Sequence, residues 1–332
     1  TGSGKTIVYF ERVKEILESG KQVLILLPEI FLTNQFKERF ENFFGFHPAI
    51  WHSKIGIKSK RKIWQSVVNG NLDLVIGARS SLLLPFKNLG LIILDEEHDP
   101  SYKQDEGIVY HARDMAIARA SIENIPIHLV SAVPSLETFN NIKTKKYNHT
   151  KLTSRYNNFP LPEAKVINLE KASLKKDQFI ADETLGLIES FLEKKEQVLF
   201  FLNRRGYSPF LICKICGFKH LCPNCSIYLT YHKLIEKLIC HHCGTKVKKE
   251  KTCKSNKENC DFRMYGPGVE KIYDELKKIF IKKNIKIFSS DFLSKKNETD
   301  SVLKKIENNE IDIIIGTQLI SKGFNFPKLN CI

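Results

Sequence analysis

The chain opens on TGSGKT (1–6), the later part of the pattern G-x-x-x-x-G-K-[ST]. In such a loop Gly2, Ser3 and Gly4 turn backbone N–H groups toward phosphate oxygens. Lys5 sets a point charge against the β- and γ-phosphates, and Thr6 offers its hydroxyl to Mg2+. A helix beginning at once would add its N-terminal dipole. Half a motif is also what a flexible Gly-Ser tail looks like, and a second stretch, LIILDEEHD (91–99), decides between the two. Its four apolar residues run into consecutive acids, as a buried strand does at the carboxyl edge of an open α/β sheet, where ligands bind. There Asp95 is placed to hold Mg2+, and Glu96 to orient and polarise a water attacking a γ-phosphate. Lys5, Asp95 and Glu96 are thus the candidate catalytic residues of an ATP-hydrolysing site, with ATP and Mg2+ as cofactors.

The second cluster is made of cysteines. They run Cys213-x2-Cys216, Cys222-x2-Cys225, Cys240-x2-Cys243 and Cys253-x6-Cys260. A C-x-x-C turn aims two thiolates at one point, and two such turns complete a tetrahedral Zn2+ site. Eight thiolates fit two closed, structural Zn2+ sites. Residues 226–239 read as a strand, a turn and a returning strand, which lets the second and third pairs meet as one site: Cys222, Cys225, Cys240 and Cys243. The outer pairs, Cys213 and Cys216 with Cys253 and Cys260, then form the other. Cys260 is the ligand with the odd spacing, and His220, His232, His241 and His242 are alternatives. Cys331, alone near the end, reads as a packed residue. Cysteines crowded into one segment of a long chain indicate metal in a reducing compartment rather than a disulfide scaffold.

These residues need a scaffold. Apolar residues make up 42% of the 332, which excludes a disordered chain. No run of about 18 apolar residues is present, so no membrane partner is expected. The net charge of +15 suggests a polyanion partner, nucleic acid first. It falls to about +11 if eight thiolates hold two Zn2+, and a biased Lys-, Ile- and Asn-rich composition accounts for it equally well. In the first half, strand-like runs at 23–28, 72–78, 89–95 and 127–132 alternate with helical patterns at 7–18, 31–44, 60–68 and 113–123. In the second half, strands are expected at 165–169, 197–203, 285–291 and 311–317, and helices at 181–195, 268–280 and 297–309. Such alternation of nearly all-apolar strands with helices predicts parallel α/β sheets. The expected organisation is a nucleotide-binding lobe over 1–153, a linker over 154–164 and a second lobe over 165–332. A Cys-rich insert over 211–262 interrupts the second lobe, and no internal repeat is evident.

DEEH (95–98) resembles motif II of superfamily 2 helicases. LLPEIFLTNQ (26–35), IGARSSLLLPF (76–86), DEEHDPSYKQ (95–104), YHARDMAIARA (110–120), FLNRRGYSPF (201–210), YGPGVEKI (265–272) and DIIIGTQLISKGFNFP (312–327) are similar, in wording and order, to the PriA family of primosomal replication-restart helicases. The resemblance covers nearly the whole chain, Cys-rich insert included. It implies two RecA-like lobes and an ATP-driven 3′-to-5′ DNA helicase that acts on forked and single-stranded DNA. It further implies primosome proteins and single-stranded-DNA-binding protein as partners, and a cytoplasmic, nucleoid-associated location in a bacterium. Carried onto this sequence, it places Ser131, Ala132 and Val133 in the segment coupling hydrolysis to unwinding. Gly316, Thr317 and Gln318 fall in a lobe-two segment facing DNA and nucleotide, and Arg79 and Ser80 in a loop suited to phosphate contact. The nested zinc pairing is also the family's.

Three departures qualify what the resemblance implies. Val133 stands where the family has Thr, and Phe324 and Asn325 replace a His and an acid. The arginine-bearing motif expected to reach the γ-phosphate would lie beyond Ile332, and the first Gly of the phosphate loop before residue 1. The isolated chain is therefore expected to be inactive. A second reading is a scaffold, derived from such a helicase, that binds DNA without unwinding it.

Overall fold

The structure is a computed structural model that describes residues 3–28, 34–105, 107–155, 158, 160–169, 171–172, 178–202, 210–213, 215–232, 236–248, 262–265, 268–288, 296–317, 320 and 324–332. It divides into two compact units, Thr1–Glu163 and Ala164–Ile332.

The first unit runs α1 (Lys5–Glu18), β1 (Gln22–Leu26), α2 (Asn34–Phe44), β2 (Ala49–Trp51), α3 (Ile57–Asn69), β3 (Leu74–Gly77), β4 (Leu89–Asp95), β5 (Lys103–Gln104), β6 (Tyr110–His111), α4 (Ala112–Ile122), β7 (Ile127–Val130) and α5 (Leu136–Lys143). Five strands form a parallel sheet in the order β2-β3-β1-β4-β7. Every residue of β1, β3 and β4 is buried, as expected of strands covered on both faces. The period of two sorts them. Leu24, Leu26, Val75, Ile92 and Leu94 pack with Val67 of α3 and Ala112, Ala116 and Ala120 of α4. Val23, Ile25, Leu74, Ile76, Leu91 and Ile93 pack on the other face with Tyr9, Phe10 and Val13 of α1 and Phe40 of α2. The strand order reverses around β1, so the crevice for a ligand opens at the carboxyl ends of β1 and β4. Gly77, closing β3, has no room for a side chain: a Cβ there would lie 2.5 Å from the Ser81 side chain and 2.8 Å from the Trp51 carbonyl oxygen.

The second unit runs α6 (Asp182–Glu193), β8 (Gln197–Phe201), β9 (Phe210–Cys213), β10 (Thr230–His232), β11 (Lys237–Ile239), β12 (Lys246–Lys248), β13 (Phe262–Tyr265), α7 (Val269–Ile279), β14 (Ile285–Phe288), α8 (Lys296–Glu307), β15 (Ile313–Gly316) and β16 (Leu329–Cys331). A parallel sheet is ordered β14-β15-β8-β16. One of its faces packs on Ile188 and Leu192 of α6 and Ile272 and Leu276 of α7, the other on Val302 and Ile306 of α8. The Cys-rich segment forms an antiparallel β10-β11-β12 sheet and a β9-β13 pair around Leu211, Leu229, Tyr231 and Leu238.

The expected strand at 165–169 does not form: the segment is irregular, with Val166 94% exposed, because none of the described strands pairs with it. β2 and α5 were not anticipated. The helix expected over 31–44 is seen from Asn34, its first three residues lying outside the described set. Although no repeat is evident in the sequence, both parallel sheets start a central strand on a buried Gln. Gln22 donates to the Val67 and Leu72 carbonyls at 3.2 and 2.8 Å. Gln197 donates to those of Ile306 and Ile311, both at 2.8 Å.

Candidate functional site

α1 starts on Lys5 directly after Gly4, whose φ of 78° is a left-handed conformation that glycine adopts without cost, and no side chain caps the helix. Its open N-terminus therefore retains the backbone donors and positive potential that suit an anion. The Lys5 ammonium lies 3.7 Å from Glu96 Oε1, an ion-pair distance too long for a hydrogen bond. Its nitrogen is buried and makes no hydrogen bond among the described residues. A cation so placed, with its donors unengaged, fits a phosphate ligand.

Asp95 ends β4 beside it. Its Oδ2 accepts from the Tyr9 hydroxyl at 3.0 Å, and its Oδ1 from the Glu96 amide at 2.9 Å. Tyr9 follows Lys5 by one helical turn, so one face of α1 supplies both groups. Burial, followed by the neighbouring Glu96 charge, pushes the Asp95 carboxyl up to about 6. An ionised carboxylate held at such cost gains by meeting a cation, so the position suits Mg2+. Burial also drives the Tyr9 hydroxyl well above its ordinary range, with the Asp95 charge adding to the effect, so it stays a donor. The Tyr102 hydroxyl donates to the carbonyls of Leu26 and Asp95, at 3.0 and 2.7 Å, and ties the ends of β1 and β4 together. Glu96 has φ of 50°, left-handed for a residue with a side chain. His98 Nδ1 shares a 2.7 Å hydrogen bond with Ser131 Oγ, which also accepts from the Val133 amide at 3.0 Å.

The remaining expected residues are placed as follows. Ser3 sits in a bend and Thr6 in the first turn of α1, both partly buried. Arg79 opens a 3-10 turn over Arg79–Leu83 and donates to the Lys103 carbonyl in β5, a protein contact the sequence did not suggest. Ser80 Oγ accepts from the Trp51 indole at 3.1 Å. Gly316 closes β15 and Thr317 follows it, 2% exposed, with a hydroxyl that has no hydrogen-bond partner among the described residues. Gly2, Gln318, Cys253 and Cys260 lie outside the described residues. Sequence reasoning missed Tyr9 and Glu97, and it read SYKQ (101–104) as a tract sensing DNA or a surface turn, whereas Tyr102 is fully buried. Tyr9 left one usable signal: its spacing of four from Lys5.

The structure brings Cys222, Cys225, Cys240 and Cys243 together, with all four sulfurs within 4.8 Å of one another. Cys222–Cys243, Cys225–Cys240 and Cys225–Cys243 are separated by 3.4, 3.3 and 3.6 Å. Four thiolates around a tetrahedral Zn2+ stand about 3.8 Å apart, so the set fits that ion. The shared hydrogen bond with Cys240 raises the Cys225 thiol to about 12, while the Thr245 hydroxyl lowers Cys243 to about 6. The knuckle is built from the backbone: Cys240 N donates to Thr245 O at 2.9 Å, and Gly244 N to Cys240 O at 2.9 Å. Cys213 forms the same turn, with Cys213 N to Phe218 O at 2.9 Å and Gly217 N to Cys213 O at 2.8 Å. Gly217 and Gly244 take left-handed φ of 70° and 76°, which is why C-x-x-C is followed by glycine in both. His232 and His241 pair through their Nε2 atoms at 3.0 Å.

Residues 1–142 match the DEAD/DEAH box helicase family, 222–248 the PriA DNA helicase Cys-rich region (CRR) domain, and 246–332 the helicase conserved C-terminal domain. The chain is 46% identical over 332 residues to the replication restart protein PriA of Rickettsia felis, covering all of this chain and 51% of that protein. It is 36% identical over 333 residues to that of Bacillus subtilis strain 168, covering 41% of it. The chain thus spans about half the length of the curated relatives it matches. Among solved structures, the DUF1998 helicase MrfA bound to DNA and AMPPNP aligns over 100% of this chain and 40% of its own, with a TM-score of 0.55 and 14% identity, a likeness of fold. No helix among the described residues is long and apolar enough to cross a membrane. Matched along its whole length by these relatives, and carrying both helicase domains and the Cys-rich one between them, the chain belongs to the PriA family of replication restart proteins.

Proposed function

We propose that this chain is the ATPase core of a 3′-to-5′ DNA helicase that acts on forked and single-stranded DNA in replication restart and primosome assembly. The observation that carries the reading is the convergence of Lys5 on the acid pair, with Lys5 Nζ 3.7 Å from Glu96 Oε1 and Asp95 adjacent. Lys5 and the N-terminus of α1 would hold the β- and γ-phosphates, Thr6 and Asp95 would hold Mg2+, and Glu96 would orient the attacking water. When bound, Mg2+ neutralises charge on the β- and γ-phosphate oxygens. Asp95 is kept in place for that role by Tyr9, and the end of its strand by Tyr102. Arg79, Ser131, Gly316, Thr317 and Gln318 are proposed to contact DNA or couple it to hydrolysis, with single-stranded-DNA-binding protein and primosome proteins as partners. The net charge of +15 supports a polyanion substrate.

Two Zn2+ ions are proposed. One is held by Cys222, Cys225, Cys240 and Cys243. The other uses Cys213 and Cys216, whose turn repeats the first site's backbone geometry, with Cys253 and Cys260.

The test is ATP hydrolysis by the complete gene product, with and without forked DNA. Hydrolysis stimulated by DNA and lost in Lys5→Ala is expected. DNA binding with hydrolysis at background would instead establish the non-unwinding scaffold.

A further inference from the structure

Four consecutive residues, DEEH, leave β4 and diverge. Asp95 and Glu96 meet Tyr9 and Lys5, and His98 meets Ser131 and lies 3.5 Å from the second Glu96 carboxylate oxygen. Glu97 turns the other way, into the protein, and its side chain is 0% exposed. One carboxylate oxygen accepts from the Ser135 amide at 2.7 Å. The other accepts from the Ser135 hydroxyl at 3.0 Å, the Thr138 hydroxyl at 3.1 Å and Arg113 Nη1 at 3.4 Å. Arg113, itself buried in α4, also donates to the Ser135 hydroxyl at 2.6 Å and to Asp114 at 3.0 Å. Ser135 caps α5. One buried carboxylate thus joins the end of β4, the start of α4 and the start of α5. A charge this deep is tolerated only when it is paired and hydrogen-bonded throughout, so its orientation is tightly fixed.

We propose that Glu97 is a positioning residue for hydrolysis: anchored to Arg113, Ser135 and Thr138, it holds the turn that presents Glu96 to the phosphate site. The inference rests on the ATPase reading given above. Its physical core is the left-handed backbone of Glu96, φ 50°. That conformation is unfavourable for a residue with a Cβ, and the surroundings of Glu96 hold it there. Two backbone bonds brace the turn: Glu97 N to Val130 O at 3.1 Å and Asp99 N to Glu96 O at 2.8 Å. The Glu97 side chain supplies the third brace. Because residues 96 and 97 point to opposite sides, locking one sets the direction of the other. Releasing Glu97 lets residue 96 relax toward an ordinary conformation and swings its carboxylate away from the water it would orient.

The complete gene product bearing Glu97→Gln, which keeps the size and one acceptor oxygen, is compared with the parent. kcat for DNA-stimulated ATP hydrolysis is expected to fall at least about tenfold. KM for ATP and the affinity for a fluorescent ADP should stay within about threefold, because Lys5 and the α1 N-terminus are untouched. Independently of nucleotide, amide exchange at Glu97 and Asp99 should accelerate while the interior of β4 stays protected. Ser135→Ala, which removes one hydroxyl donor and keeps the amide, gives the same pattern at lower amplitude and serves if Glu97→Gln does not fold. A folded variant with kcat within twofold of the parent, or with kcat and nucleotide affinity falling together, overturns the proposal. A parent without Lys5-dependent hydrolysis sinks the ATPase reading, and this inference with it.

Discussion

Replacing Asp95 by Asn should make the cation-free protein more stable while removing its activity. The residue is 9% exposed, and its carboxyl is pushed up to about 6, first by burial and then by Glu96. In the unfolded chain an Asp titrates near 3.9, so the folded state binds the proton more tightly by about two pK units. A carboxyl raised on folding has its full stability below the unfolded pKa and loses it as pH rises through the folded one. The window here is about pH 4 to 6. Above it the ionised group costs up to about 3 kcal/mol. Asn carries no charge. Its oxygen can accept from the Glu96 amide and its NH2 can donate to the Tyr9 hydroxyl oxygen, so the hydrogen bonds are largely kept. With imperfect geometry allowed for, a net gain of about 2 kcal/mol at pH 7.5 is expected, about 4–8 °C in melting temperature for a unit of this size. At pH 5 the parent's folded Asp95 is mostly protonated, the electrostatic cost drops to about 1.5 kcal/mol, and the same allowance leaves a gain of about 0.5 kcal/mol. The assay is thermal unfolding followed by circular dichroism in EDTA at both pH values. A variant less stable than the parent at pH 7.5, or a gain that does not change with pH, would refute the reasoning.

Two other outcomes follow from the packing. Cys222→Ser removes one of four converging sulfurs. It should lower zinc content, measured by atomic absorption, by one ion per chain and expose the 222–248 segment to protease, while the melting of the first unit is unchanged. Gly77→Ala forces a methyl to within 2.5 Å of Ser81 and 2.8 Å of a backbone oxygen, so it should cost about 1–3 kcal/mol in urea unfolding.

β1, β3, β4 and β15 are plain in the sequence because they are buried on both faces and read as unbroken apolar runs. The acid pair is plain because it ends one of them. β2 is three half-buried residues long and carries too little pattern to find. Residues 165–169 carry the composition of a strand without a described neighbour to pair with. The meeting of Cys222, Cys225, Cys240 and Cys243 could be foreseen because a hairpin between the pairs is local. Glu97 could not. After two acids, a third reads as one more solvated charge, and only the fold reveals that Arg113, Ser135 and Thr138, 16 to 41 residues away, surround it.

The buried glutamines that start β1 and β8 place the rigidity of each lobe. Their amides clasp the backbone leaving a helix, α3 in one case and α8 in the other, at the amino end of the sheet. The candidate chemistry sits at the opposite, carboxyl end: Asp95 and Glu96 in the first lobe, Gly316 and Thr317 in the second. Each lobe is therefore fastened at its foot by an amide clasp, and the candidate chemistry stands at the other end of the same sheet.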